Sequence, residues 1–256
     1  MTYSLKGRRV LVTAGSRGLG AVICERFGEK GAHVMVNYVA NESKAQEVVT
    51  KVKAHGVESF VVQGDASSEA DNIRIVRETV EKLGGLDIIV ANAGWTRFSA
   101  FGDLNALLID DWNKCWAVNV LSHVHLLRAA QPNFAANPDG GSYIITSSIA
   151  GTTQSGSSLP YSVTKAAGIQ LMKCLASTQG PKIRINAVLP GQLLTDWGMQ
   201  FDEATIEAEK KEATLKHETY LDDCANVYIS IAENTSLTGQ AITVDSGLTL
   251  AWSSRS

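Results

Sequence analysis

At 256 residues, 45% hydrophobic and with a net charge of −3, the chain is long enough for a large α/β domain, and it carries no basic stripe for nucleic acid. Cys24, Cys115, Cys174 and Cys224 are scattered, with no CxxC or Cys/His cluster, which reads as reduced, mostly buried thiols of an intracellular protein. No stretch approaches the roughly 18 apolar residues of a membrane span, and the opening MTYSLKGRRVLVTAG lacks the apolar core of a signal peptide, so a cytoplasmic location with neither nucleic acid nor membrane as partner is expected.

Short aliphatic runs alternate with helical patterns along the whole chain. RRVLVT (Arg8–Thr13) reads as a strand, followed by helical spacing from Leu19 to Lys30 that Gly31 ends. HVMVNY (His33–Tyr38) is the second strand, and a helix from Ser43 to His55 stops at Gly56. SFVVQ (Ser59–Gln63) precedes a helix from Ala70 to Leu83. LDIIVAN (Leu86–Asn92) then leads to a long helical stretch from about Asp110 to Ala136. SYIITS (Ser142–Ser147), a helix from Tyr161 to Thr178, IRINAVL (Ile183–Leu189), two further helices and QAITVD (Gln240–Asp245) complete the series. Strands alternating with helices of this length predict one doubly wound parallel sheet of about seven strands, helices on both faces, over residues 1–256 without a linker. Near-continuous apolar strands fit a sheet buried on both sides. Ligands of such sheets bind beyond the carboxyl ends of the strands, which directs attention to Gly15, Tyr38, Asp65, Asn92, Ser148 and Pro190.

The first such end is VLVTAGSRGLG. A strand, a glycine loop and a helix start form a phosphate cradle, because the backbone comes close and free amides point at the anion. Neither GxGxxG nor a P-loop is present; the glycines are Gly15, Gly18 and Gly20. About 20 residues on, where NAD enzymes place an acid against the ribose 2′-hydroxyl, the strand ends in Asn37-Tyr38. With no carboxylate there, and with Arg17 in the loop able to pair with a 2′-phosphate, NADP(H) is favoured over NAD(H).

YSVTK puts Tyr161 and Lys165 one helical turn apart on one face. An adjacent ammonium lowers a tyrosine pKa toward the range useful for proton transfer to a carbonyl oxygen. Ser148 lies thirteen residues upstream, after a strand; Asn119 lies in the long helix; ANAG (Ala91–Gly94) and LPGQLLT (Leu189–Thr195) follow the fourth and sixth strands. With TAGSRGLG, this ordered set resembles the short-chain dehydrogenase/reductase family from Lys6 to about Leu248, and NY after the second strand is similar to its NADP-dependent 3-oxoacyl-carrier-protein reductases.

The resemblance implies the following roles. Tyr161 is the catalytic acid/base. Lys165 lowers its pKa and holds the nicotinamide ribose. Ser148 bonds the substrate carbonyl, and Asn119 positions a water in the proton relay. Gly15, Ser16, Arg17, Gly18, Leu19 and Gly20 form the pyrophosphate loop. Asn37 and Tyr38 meet the adenosine end, Asp65 the adenine, Asn92 and Gly94 the adjacent ribose, and Pro190 and Thr195 the nicotinamide. A homodimer or homotetramer is implied, and a substrate lid over about 192–218, with Trp197, Met199 and Trp95 as candidate pocket walls. One departure stands out. Where the family's TGxxxGxG loop has its first glycine, this chain has Ala14, and alanine disfavours φ > 0, so the first turn of the loop is expected to sit differently.

No histidine among His33, His55, His123, His125 and His217 makes a metal-binding pair, and no GxSxG elbow surrounds Ser148. The expected activity is NADPH-dependent reduction of a small-molecule ketone or aldehyde, reversible to the alcohol. The alternatives are an NAD-linked alcohol dehydrogenase, a non-enzymatic cofactor sensor or scaffold, and redox-neutral chemistry on the same scaffold.

Overall fold

The computed structural model describes residues 3–253. The strands are β1 (Arg9–Val12), β2 (His33–Tyr38), β3 (Ser59–Gln63), β4 (Ile88–Ala91), β5 (Gly141–Thr146), β6 (Ile183–Pro190) and β7 (Ala241–Val244). They form a seven-stranded sheet in the order β3-β2-β1-β4-β5-β6-β7, with every neighbouring pair parallel. The chain runs outward one way from β1 to β3, then crosses back and runs the other way from β4, so the strand order switches between β1 and β4. That is where ligands settle in open α/β sheets.

Period-two alternation explains why these strands are apolar throughout. Val10, Val12, Val34, Val36, Ile88 and Val90 face one side and pack with residues such as Ile23, Phe27, Val52 and Tyr228. Leu11, Met35 and Ile89 face the other and pack with Ile75, Leu126, Phe134, Ile169 and Met172. The first group comes from helices α1 (Gly18–Glu29), α2 (Glu42–Lys53) and α8 (Leu221–Glu233). The second comes from α3 (Glu69–Leu83), α5 (Ser122–Ala136) and α6 (Leu159–Gln179). Each buried aliphatic side chain contributes about 1.5–3 kcal/mol, and both faces must be covered to collect it.

Helix α4 (Ile109–Trp116) passes into α5 through one π-helical turn, Ala117–Leu121, so the long helix expected from about 110 to 136 is continuous but widened at Asn119. Such single π turns recur at functional positions. Helices α7 (Glu203–Glu212) and α9 (Leu248–Ser253) complete the set; α9 has no counterpart in the sequence reading, since six residues cannot display a helical period. No helix of the described residues is long and apolar enough to cross a membrane. Cys24, Cys115 and Cys224 are buried free thiols, and Cys174 is exposed.

Candidate active site

The carboxyl edge of the sheet opens into a cavity of about 530 Å³. Its floor is the loop after β1. The first turn of α1 has no side-chain cap, since the N-cap residue Arg17 supplies none. Unsatisfied amides at a helix start form an anion site, and Ala14, Arg17, Gly18, Leu19 and Gly20 all line the cavity. A Cβ on Gly20 would collide with the Ala14 carbonyl and come within 2.7 Å of Asn92 Nδ2, so glycine is required for this turn to close. Asn92 in turn donates to the carbonyls of Thr13 at 3.2 Å and Ala14 at 3.4 Å. This cradle, with its uncapped helix, fits a dinucleotide pyrophosphate.

Ala14 does not avoid the left-handed region: its φ is 50°. The turn is therefore held in a conformation that costs an L-residue roughly 1–2 kcal/mol, and Asn37 helps to hold it. The Asn37 side chain accepts from the Ala14 amide at 3.0 Å and donates to the carbonyls of Val62 at 3.2 Å and Gly64 at 3.1 Å. It is 1% exposed. Asn37 does not line the cavity: a buried amide must satisfy its own hydrogen bonds, and this one spends them pinning the loop. Tyr38 is also buried and lies outside the cavity wall, as do Gly15, Ser16, Asp65 and Asn119. Gly15 packs inward against Cys24 and Val36, and Asp65 accepts from the Ser67 amide at 2.8 Å.

Arg17 sits at the rim, 3.7 Å from Asp196, with both side chains about two-thirds exposed (68% and 67%). It therefore faces a carboxylate supplied by the segment after β6.

Tyr161 and Lys165 lie on one face of α6, as expected. Ser158 caps this helix by accepting from the Tyr161 amide at 3.3 Å. Lys165 Nζ is 5.5 Å from the centre of the Tyr161 ring and donates to the Thr146 carbonyl at 2.7 Å. Close approach of the turn Ile149–Gly151 to α6 needs Gly151, where a Cβ would lie 2.8 Å from the backbone of Lys165. That approach brings Ser148 close to Tyr161. Loss of water around the phenol pushes the Tyr161 pKa up to about 12, opposed by the nearby Ser148 hydroxyl. Burial pushes Lys165 down to about 8. The expectation that Lys165 lowers the tyrosine pKa is not met in this structure: burial dominates, and Ser148 is the group that lowers it.

Asn119 sits behind the site. Its Oδ1 accepts from the Trp95 amide at 2.8 Å, and its Nδ2 donates to the Trp95 carbonyl at 2.9 Å and to Thr164 Oγ1 at 3.0 Å. The side chain is committed to holding the ANAGW turn against α6.

Asn92, Gly94, Pro190 and Thr195 line the cavity, and so does Trp197, whose ring centre is 5.7 Å from that of Tyr161. Trp95 and Met199 do not line it; Trp95 instead lies beneath Lys114, 5.1 Å from its ammonium, and Met199 is 61% exposed. The sequence reading missed Phe101, Gln154, Phe201, Glu209 and Trp252 of the wall. Phe201 and Glu209 fall within the expected lid, where their polarity and size could have flagged them; Trp252 gave no signal, being brought in by the tertiary fold alone.

Residues 13–249 match a family model described as enoyl-(acyl carrier protein) reductase. The chain is 35% identical over 239 residues to a ketoacyl reductase assigned to the granaticin polyketide synthase of Streptomyces violaceoruber, covering 93% of this chain and 94% of that one. It is 31% identical to the 3-oxoacyl-(acyl-carrier-protein) reductase of Staphylococcus aureus, over 94% and 98% of the two chains. Among solved structures, a short chain dehydrogenase from Burkholderia cenocepacia J2315 in complex with NADP superposes with a TM-score of 0.89 at 32% identity, over 96% and 100% of the chains.

Proposed function

The chain belongs to the short-chain dehydrogenase/reductase family of oxidoreductases, and from that premise we propose that it reduces a small-molecule ketone or aldehyde with NADPH. The observation that carries this reading is the Ser148–Tyr161–Lys165 cluster on the wall of a cavity whose floor is an uncapped helix start. Ala14, Gly18, Leu19 and Gly20 would hold the pyrophosphate, Asn92 and Gly94 the adjacent ribose, and Pro190 and Thr195 the nicotinamide. When bound, that nicotinamide supplies the hydride.

The chain's own residues supply the proton. Ser148 donates to the carbonyl oxygen and stabilises the charge that develops there. Tyr161 gives its phenolic proton to the same oxygen. Burial keeps the phenol protonated at neutral pH, with its pKa pushed up to about 12, so Tyr161 holds the proton that the reduction needs. Lys165, held by the Thr146 carbonyl, keeps a positive charge beside the ring. Trp197 and Phe201 exclude water, and residues of the segment about 192–218 act as a lid over the substrate.

NADP(H) is preferred because no carboxylate opposes a 2′-phosphate at Asn37-Tyr38 and Arg17 stands free to swing from Asp196 to the phosphate; the NADP complex of the Burkholderia relative supports this. We also read the chain as a homodimer or homotetramer. Trp116, Leu121 and Val163 expose apolar surface along α4, the π turn and α6, and the edge strand β7 is half-exposed. An unprotected sheet edge invites pairing.

Fluorescence titration with NADPH and NADH, followed by turnover of ketones with each, tests the reading. Tight NADPH binding with ketone reduction is expected. A chain that binds neither, or that works as well with NADH, overturns it. Light scattering on a sizing column reports the assembly, where a monomer would refute the oligomer.

A further inference from the structure

The cavity wall contains one carboxylate that the proposed reduction does not use. Glu209 lines the cavity from α7. It is partly buried, and no side chain among the described residues donates to it. One turn on, Glu212 accepts from Trp252 Nε1 at 2.7 Å. That bond ties α7 to α9, where Trp252 packs against the cluster of Ile149, Ala213 and Leu248. An acidic corner with an indole beside it is thereby fixed at the end of the same cavity that holds Tyr161.

A buried carboxylate without a cation costs free energy, and a second carboxylate beside it adds to the cost. Both effects push the Glu209 pKa up. The next residue in sequence, Lys210, is already engaged by Glu207 at 2.9 Å and Glu218 at 3.7 Å. No basic side chain of the cavity wall pairs with Glu209, since Arg17 faces Asp196 at the mouth and Lys165 is bound to Thr146. The wall also carries the aromatic side chains Phe101, Trp197, Phe201 and Trp252. Carboxylates set among aromatic faces are the environment that recognises an organic ammonium, through charge and cation–π attraction together.

We infer that Glu209 is a specificity-determining residue for an amino ketone, a carbonyl compound bearing a protonated amine that lies toward α7 while its carbonyl meets Ser148 and Tyr161. The inference rests on the carbonyl-reductase reading for the carbonyl end alone. The ammonium supplies the missing cation, so its binding relieves the carboxylate. A neutral ketone of the same shape leaves that carboxylate unpaired and binds more weakly.

A matched pair of probes isolates the effect. 1-Methylpiperidin-4-one carries a positive charge at neutral pH, and 4-methylcyclohexanone has nearly the same outline without it. The wild type is expected to prefer the charged ketone by about tenfold or more in kcat/KM with NADPH, and Glu209→Gln to bring the ratio of the two close to one. Calorimetric binding of both probes to the wild type and to Glu209→Gln gives the same comparison without turnover. If neither ketone is reduced, the carbonyl-reductase reading fails, and calorimetry still decides this one: selective binding of the charged probe that is lost in Glu209→Gln supports it. Equal handling of the two probes by the wild type, or an undiminished preference in Glu209→Gln, overturns it.

Discussion

The Asn37 side chain accepts a hydrogen bond from the Ala14 amide at 3.0 Å, and Ala14 has a φ of 50°. The pinned turn shapes the anion cradle, so a residue at the end of β2 governs the glycine loop without lining the cavity. Ala14→Gly removes a steric penalty of roughly 1–2 kcal/mol, part of which the greater freedom of an unfolded glycine offsets. The net gain is expected to be about 1 kcal/mol, or a Tm rise of about 2–4 °C for a chain of this length. Urea denaturation and a thermal scan would measure it; a lower Tm would show that the turn is not strained. Asn37→Ala, which leaves the Ala14 amide and two carbonyls without their partner, is expected to destabilise by more than about 2 kcal/mol.

Tyr161 is the single proton donor of the proposed reaction. Tyr161→Phe should lower kcat by at least about 100-fold while NADPH still binds, because the pyrophosphate loop is untouched. Rapid kinetics and a fluorescence titration on the same preparation would separate the two effects. Turnover close to wild type would remove Tyr161 from the mechanism.

Arg17 and Asp196 make opposite predictions for one ligand. Arg17→Ala should weaken NADPH by about tenfold, the scale of one charge-assisted hydrogen bond, and leave NADH nearly unchanged. Asp196→Ala should tighten NADPH by freeing Arg17. Neither change should move the Tm, since the pair is two-thirds exposed and screened by solvent. An equal loss for both nucleotides in Arg17→Ala would point to the pyrophosphate instead.

His123 makes stability depend on acid. It is 1% exposed, its Nδ1 has no partner, and burial together with the Lys165 charge lowers its pKa from 6.5 to about 3. The folded state therefore keeps the imidazole neutral while the unfolded chain takes up a proton below pH 6.5. Stability falls as pH drops from 6.5 toward 3, and at pH 5 the loss from this group is about 2 kcal/mol relative to pH 7.5. Urea midpoints of wild type and His123→Asn at the two pH values would check the sign: the variant should show the smaller acid loss, and an equal loss in both would exclude His123 as the source.

Much of this protein is written locally. β2 and β3 run over the residues that the apolar alternation predicts, and helices α1, α2, α3 and α6 begin and end within two residues of their expected bounds. Tyr161 and Lys165 needed only the helical repeat to share a face, and the glycine loop needed only its place between a strand and a helix. These features depend on neighbours a few residues apart. The tertiary structure decided the rest. Asn37 became a buried pin because Val62, Gly64 and Ala14 arrive from three other segments to satisfy it. Asn119 turned its side chain to Trp95 and Thr164, and Trp252 reached the cavity wall from the far end of the chain through Glu212. Burial set the Tyr161 and Lys165 pKa values against the expectation drawn from their spacing. Local periodicity fixes which face a side chain occupies. Which partners meet it there, and how much water they leave, is set only when distant segments close over it.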